Sequence, residues 1–150
     1  MKRQPIKTVS NEEIRFIPSM YKKGFDIKAK DIYKRPLVLI GKRLKREDRY
    51  ELDSMTHIKF NKDPDKVDYK NLKPGDIDVV GKGNASKYVW DKCMTRALNV
   101  IVEEDGKVKT YDEYKDIEAL WNGVGMDVEI AEAVEFFLKQ SKLDEVEAKN

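Results

Sequence analysis

The longest uninterrupted apolar stretch in this chain covers only residues 36–40 (PLVLI). That is far short of the roughly 18 to 20 apolar residues a membrane-spanning helix needs. The amino terminus also lacks the apolar block of a secretory signal, so a soluble, cytoplasmic protein without membrane partners is expected. Read on to Leu44, the stretch (PLVLIGKRL) is rich in branched side chains, the mark of a buried strand that Gly41 ends or bulges. With 40% apolar residues in 150, there is enough material for one core and one domain.

The polar inventory removes most enzyme chemistries. One cysteine, Cys93, excludes an internal disulfide, and one histidine, His57, leaves no cluster for zinc or a Cys/His relay. Cys93 sits among apolar neighbours and reads as core filling, while His57 reads as a surface or capping residue. Asp76 and Asp78, with Lys82 beyond, resemble the acidic metal site of a nuclease only in spacing, and solvated loop carboxylates are the simpler reading. Gly81-Lys82-Gly83 lacks the other glycines and the hydroxyl of a phosphate-binding loop. Neither a catalytic residue nor a cofactor or metal site is expected.

Charge is plentiful, at 39% of residues, and unevenly placed. Residues 1–75 hold 20 Lys and Arg against 11 Asp and Glu, a balance of +9; residues 76–150 hold 10 against 17, a balance of −7. The densest basic cluster is Lys42, Arg43, Lys45, Arg46 and Arg49, interrupted by Glu47 and Asp48. Near a helix start it offers a phosphate-binding alternative, in which the protein is a nucleic-acid-binding accessory or regulator. The simpler reading is a solvated face, or a basic half that docks on the acidic half of another copy in a homo-oligomer.

Periodicity supplies the elements. Residues 1–13 read as a flexible arm. Ile14 and Phe16, then Phe25 and Ile27, suggest two short strands about a turn at Lys23-Gly24. A helix is expected over residues 46–56, a short extension at Ile58 and Phe60, and a turn-rich loop over 61–75. Ile77 to Val80 suggests an edge strand within a loop region spanning 61–83. Trp90, Cys93, Met94, Ala97, Leu98, Ile101 and Val102 recur at steps of three and four, so a helix from about Ser86 to Val102 is favoured. That helix would pass through a turn at Asp105-Gly106 into a short strand, although residues 100–103 and 107–111 flanking the turn also fit a hairpin. Thr110 and Glu113 make a capping box for a helix over 111–122, which Gly123 or Gly125 would stop. Asp127 caps a last helix with Val128, Ala131, Val134, Phe137 and Leu138 on its apolar face, before a fraying tail at 141–150. The fold expected is α+β: a small amino-terminal set of short strands with one helix, packed on a carboxy-terminal three-helix group.

The large aromatics are the candidates for partner contact: Trp90, Trp121, Phe136 and Phe137. One helix cannot hide both Phe136 and Phe137 on one side, so Phe136 either wraps the core or meets a partner.

From Trp90-Asp91-Lys92-Cys93, through an apolar helix and Glu103-Glu104-Asp105-Gly106-Lys107, to a Thr-Tyr-Asp-Glu helix start and a final amphipathic helix, the chain resembles tail assembly chaperones of long-tailed bacteriophages. The resemblance covers about the last 65 residues. It implies a noncatalytic protein that keeps the helical tape measure protein soluble while tail tube subunits assemble around it. That role needs apolar grooves and a charged exterior.

Overall fold

The computed structural model describes residues 2–5, 11–61, 63–66, 68–73 and 75–149, so part of the expected arm, Lys62, Val67 and Pro74 of the expected loop and Asn150 of the expected tail lie outside the described residues. The elements run β1 (Ile14–Phe16), β2 (Val38–Gly41), α1 (Arg46–Met55), β3 (His57–Phe60), β4 (Ile77–Val80), α2 (Lys82–Cys93), β5 (Met94–Glu104), β6 (Lys107–Tyr114), α3 (Ile117–Trp121) and α4 (Asp127–Lys149). The fold is α+β. An antiparallel sheet of order β1-β2-β5-β6 carries the helices, and β3 and β4 form a separate antiparallel pair.

The apolar run at 36–40 does what its composition dictates: every residue of β2 is buried. Leu39 joins Val89, Trp90, Cys93, Met94, Ala97, Ala133 and Phe137 in one core. Val38 and Ile40, alternating with Leu39 along the strand, are fully buried as well. α1 matches its expected bounds within a residue and buries Leu52. The edge strand expected at Ile77 is β4, and Ile58 and Phe60 belong to its partner β3 rather than to a helical extension.

The longest departure from expectation lies between Met94 and Tyr114. The predicted helix over 86–102 ends at Cys93, and the predicted helix over 111–122 shrinks to α3; between them stands the hairpin β5–β6. Its turn is Asp105-Gly106, with φ of 51° and 74°, as a two-residue primed turn requires. The capping box at Thr110 does not form. Asp116 caps α3 instead, its carboxylate accepting from the Ala119 amide at 3.0 Å.

The helical period in this stretch is produced by two irregularities of a strand. Gly41 pairs with Met94 but Ile40 pairs with Arg96, so Thr95 is an extra residue, a bulge whose hydroxyl donates to the Ile40 carbonyl at 3.0 Å. Four residues on, Asn99 adopts φ of 59°. This left-handed conformation is one that asparagine tolerates better than most residues. Together they place Met94, Ala97 and Val100 inward at steps of three. On β6 the half-buried residues, Tyr111 and Tyr114, share that spacing and pair with Val100 and Ala97.

Before β2, the expected hairpin about Lys23-Gly24 is absent among the described residues. Asp26 and Asp31 accept from the amides of Lys28 and Tyr33, closing local turns that compete with a strand ladder. Phe25 and Ile27 consequently stay exposed. This segment is tied to α4 by Ser19, whose amide and hydroxyl donate to the Glu132 carboxylate at 2.8 and 2.6 Å. The Ser19 hydroxyl and then its amide hold the Glu132 carboxyl below the usual range.

α4 begins near Asp127 as expected, after Gly125 with φ of 80°. Its buried residues are Glu129, Ile130, Ala133, Phe137 and Ser141, whereas Val128 and Ala131 are exposed. Ser141 does not begin a frayed tail. Its hydroxyl donates to the Phe137 carbonyl and accepts from the Leu44 amide at 2.9 Å, pinning α4 to the entry of α1.

Candidate functional site

A cleft of about 540 Å³ opens between the free side of β5, the turns at residues 21–35, and the α3–α4 connection. β2 pairs with β5 only as far as Leu98, which leaves Val100 to Glu104 without a strand on that side. The Asn99 amide fills the junction, donating to the Pro36 carbonyl at 3.0 Å. Leu37, Val100 and Leu120 form a buried floor.

Arg35 builds the opposite wall. Its Nε and Nη2 donate to the Ala29 and Lys30 carbonyls at 2.6 and 2.9 Å, and Nη1 reaches Asp112 Oδ1 at 2.8 Å. This planar fork holds the turn against β6, so its donors serve the architecture. Tyr21 and Phe25 meet edge to face there at 5.2 Å. Burial, and secondarily the charge of Glu129, push the Tyr21 phenol up; burial and then Asp116 do the same for Tyr114. Both phenols stay protonated at neutral pH and offer hydrogen bonds rather than base chemistry.

Four of the large apolar side chains left exposed, Phe25, Tyr33, Ile101 and Val124, line this one cleft. Exposed apolar surface gathered in a concavity, with Glu103 and Glu104 at its lining, is the chemistry of a receptor for an apolar segment.

The residues expected to meet partners lie elsewhere. Trp90 is 1% exposed and donates its indole N–H to the Ile117 carbonyl at 2.9 Å. Phe137 is equally buried, so neither is a surface residue. Trp121 is half-buried, 5.9 Å from the Trp90 ring with Lys87 over its face at 5.2 Å. Phe136 wraps the core edge, stacked on Phe16 at 4.8 Å. These aromatics therefore form two packing clusters, at α2–α3 and at α4–β1, not one interface.

In the basic cluster, Lys42, Lys45 and Arg46 are exposed and Arg43 and Arg49 half-buried. Lys45 precedes α1, whose first turn already carries Glu47 and Asp48, so the helix's own carboxylates meet its positive end. Asp76 is buried, with its carboxylate accepting from the Lys73 amide at 3.0 Å, and Asp78 is exposed on β4. Among the described residues no group of three or more metal-ligating side chains gathers.

Cys93 lies 1% exposed at the end of α2. Burial, followed by the charge of Asp48, pushes its thiol up to about 12. Because the thiolate is the reactive form, Cys93 should resist a disulfide reagent at pH 8 in the native protein and react with one equivalent once denatured. Rapid native labelling would show that the α2–β5 junction opens.

The cleft residues carried no sequence signal of their own, save Asn99, a turn-former inside a run of branched residues. No described helix is long and apolar enough to cross a membrane. A scan against family models, a search of curated proteins and a search of solved structures each return no match.

Proposed function

We propose that this protein is a noncatalytic assembly chaperone that holds an apolar segment of a partner protein in the cleft beside β5. The gathering of Phe25, Tyr33, Ile101 and Val124 around that cleft is the observation that carries the reading. The sequence resemblance supplies the partners: the helical tape measure protein and tail tube subunits of a long-tailed phage, met in the host cytoplasm. An amphipathic helix presenting an apolar stripe has the chemistry such a groove takes.

Capture of partners by the tagged protein from phage-infected cells, with and without nuclease, tests this. A long helical protein and tail subunits should be recovered regardless of nuclease. Ile101→Asp should reduce that recovery at least about tenfold, the loss of one well-placed anchor. Ile101 is already 41% exposed, so the fold should tolerate the change. Recovery of nucleic acid instead, or loss of partners after nuclease, would transfer the function to Lys42, Arg43, Lys45, Arg46 and Arg49.

A further inference from the structure

The opposite margin of the sheet raises a separate question. β6 is the terminal strand of the order β1-β2-β5-β6 and pairs with β5 alone. It is eight residues long, none of them proline and none buried. An edge of this length displays a row of unused backbone donors and acceptors, which proteins normally blunt by shortening, bulging or like charge.

Like charge is not what β6 carries. Reading KVKTYDEY, its first half holds Lys107 and Lys109 and its second half Asp112 and Glu113. Among the described residues neither lysine makes an ion pair. Asp112 meets Arg35 through Oδ1, yet its side chain is 86% exposed.

This pattern discriminates between ways of adding a strand. A second copy laid parallel and in register sets lysine on lysine and acid on acid, which is unfavourable. Laid antiparallel about a two-fold axis through Tyr111, it sets Lys109 opposite Glu113 of the second copy, and the symmetry repeats the pair. With the axis moved to Thr110, Lys107 faces Glu113 of the second copy. Either antiparallel register matches basic half to acidic half, and a two-fold contact needs only one such self-complementary strand.

We infer that β6 is a self-association edge, through which two copies of this chain pair antiparallel and join their sheets into one of eight strands. β6 touches the cleft only through Tyr114 and, by way of Arg35, through Asp112, so changes at Lys107 and Lys109 test the contact separately from what the cleft binds.

Light scattering after gel filtration of the full chain, at tens of micromolar protein and low salt, should give twice 17.5 kDa. Hydrogen exchange should show amides of residues 107–114 slowing as protein concentration rises, with those of residues 77–80 unchanged. Raising salt from about 0.05 M to 1 M shortens the screening length to roughly 3 Å and should weaken the dimer. Lys107→Glu with Lys109→Glu makes the edge wholly acidic and should weaken self-association at least tenfold with unchanged circular dichroism. Mixing that variant with Asp112→Lys/Glu113→Lys should restore dimers. Since Asp112 also holds Arg35, the acidic-edge variant and the exchange pattern decide the matter if the basic-edge variant fails to fold. A monomer at low salt, a dimer indifferent to Lys107→Glu/Lys109→Glu, or β6 amides indifferent to concentration would overturn the inference.

Discussion

Phe137→Ala is expected to cost about 3–5 kcal/mol of folding stability, the range for removing a buried aromatic ring. Phe137 is 1% exposed, and its ring packs edge-on against Phe136 at 5.3 Å and closely against Gly41. Little around it can collapse into the void. Gly41 has no side chain to move, and Ala133 and Cys93 are small core neighbours. For a chain of this length each kcal/mol lowers Tm by roughly 2–4 °C, so a fall on the order of 10 °C or more is expected. The adjacent Phe136→Ala should cost much less, about 1–2 kcal/mol, because that ring is half-buried and loses chiefly its stack on Phe16. Urea and thermal unfolding of the two variants measure the contrast. Equal losses would mean that the two rings share the core, contrary to the burial described.

That contrast bears on what could be read before the fold was seen. An adjacent phenylalanine pair announces that one ring leaves the main apolar face, and the helical stripe already put Phe137 on that face and Phe136 off it, as the structure has them. The stripe misplaced only its start, since the buried face takes in Ile130 and Ala133 and leaves out Val128 and Ala131. Where one local rule dominated, reading succeeded: the branched run became β2, the long polar side chains after Lys45 became α1, and Ile77 to Val80 became an edge strand. Between Met94 and Tyr114 two local rules competed. A bulge at Thr95 and a left-handed Asn99 gave a strand the spacing of a helix, and only pairing with β6 reveals it.

The candidate site was less legible for a related reason. Trp90, Trp121 and Phe137 were conspicuous by size, yet large aromatics are what a small core most needs, and the structure spends them there. The cleft is assembled from Tyr21, Phe25, Tyr33, Ile101 and Val124, residues ordinary in themselves and far apart in sequence. Their exposure follows from tertiary facts: aspartate-closed turns that deny Phe25 a strand, Arg35 clamping those turns to β6, and β2 ending before Val100. The β6 edge differs, because its charge order is written in consecutive residues; what had to be learned was that this segment is a strand at all.

Gly41→Ala, a single added methyl group, is expected to destabilise by about 3 kcal/mol, at the upper end for overpacking. A Cβ at Gly41 would stand 2.6 Å from the Cys93 carbonyl oxygen and 2.9 Å from two carbons of the Phe137 ring. The ring could turn aside at some cost. The carbonyl cannot withdraw easily, because it accepts the Lys42 amide at 2.8 Å and lies where α2 passes into β5. Relief therefore requires the junction itself to open, and two readouts follow. Thermal unfolding should occur at lower temperature, and Cys93, inert in the native chain, should become reactive to a disulfide reagent at pH 8. Combining Gly41→Ala with Phe137→Leu should restore part of the loss that the ring causes while leaving the carbonyl clash, so the two changes should be non-additive by about 0.5–3 kcal/mol. Strict additivity, or a Gly41→Ala protein as stable as the parent with Cys93 still protected, would show that β2 and the end of α2 stand further apart than described.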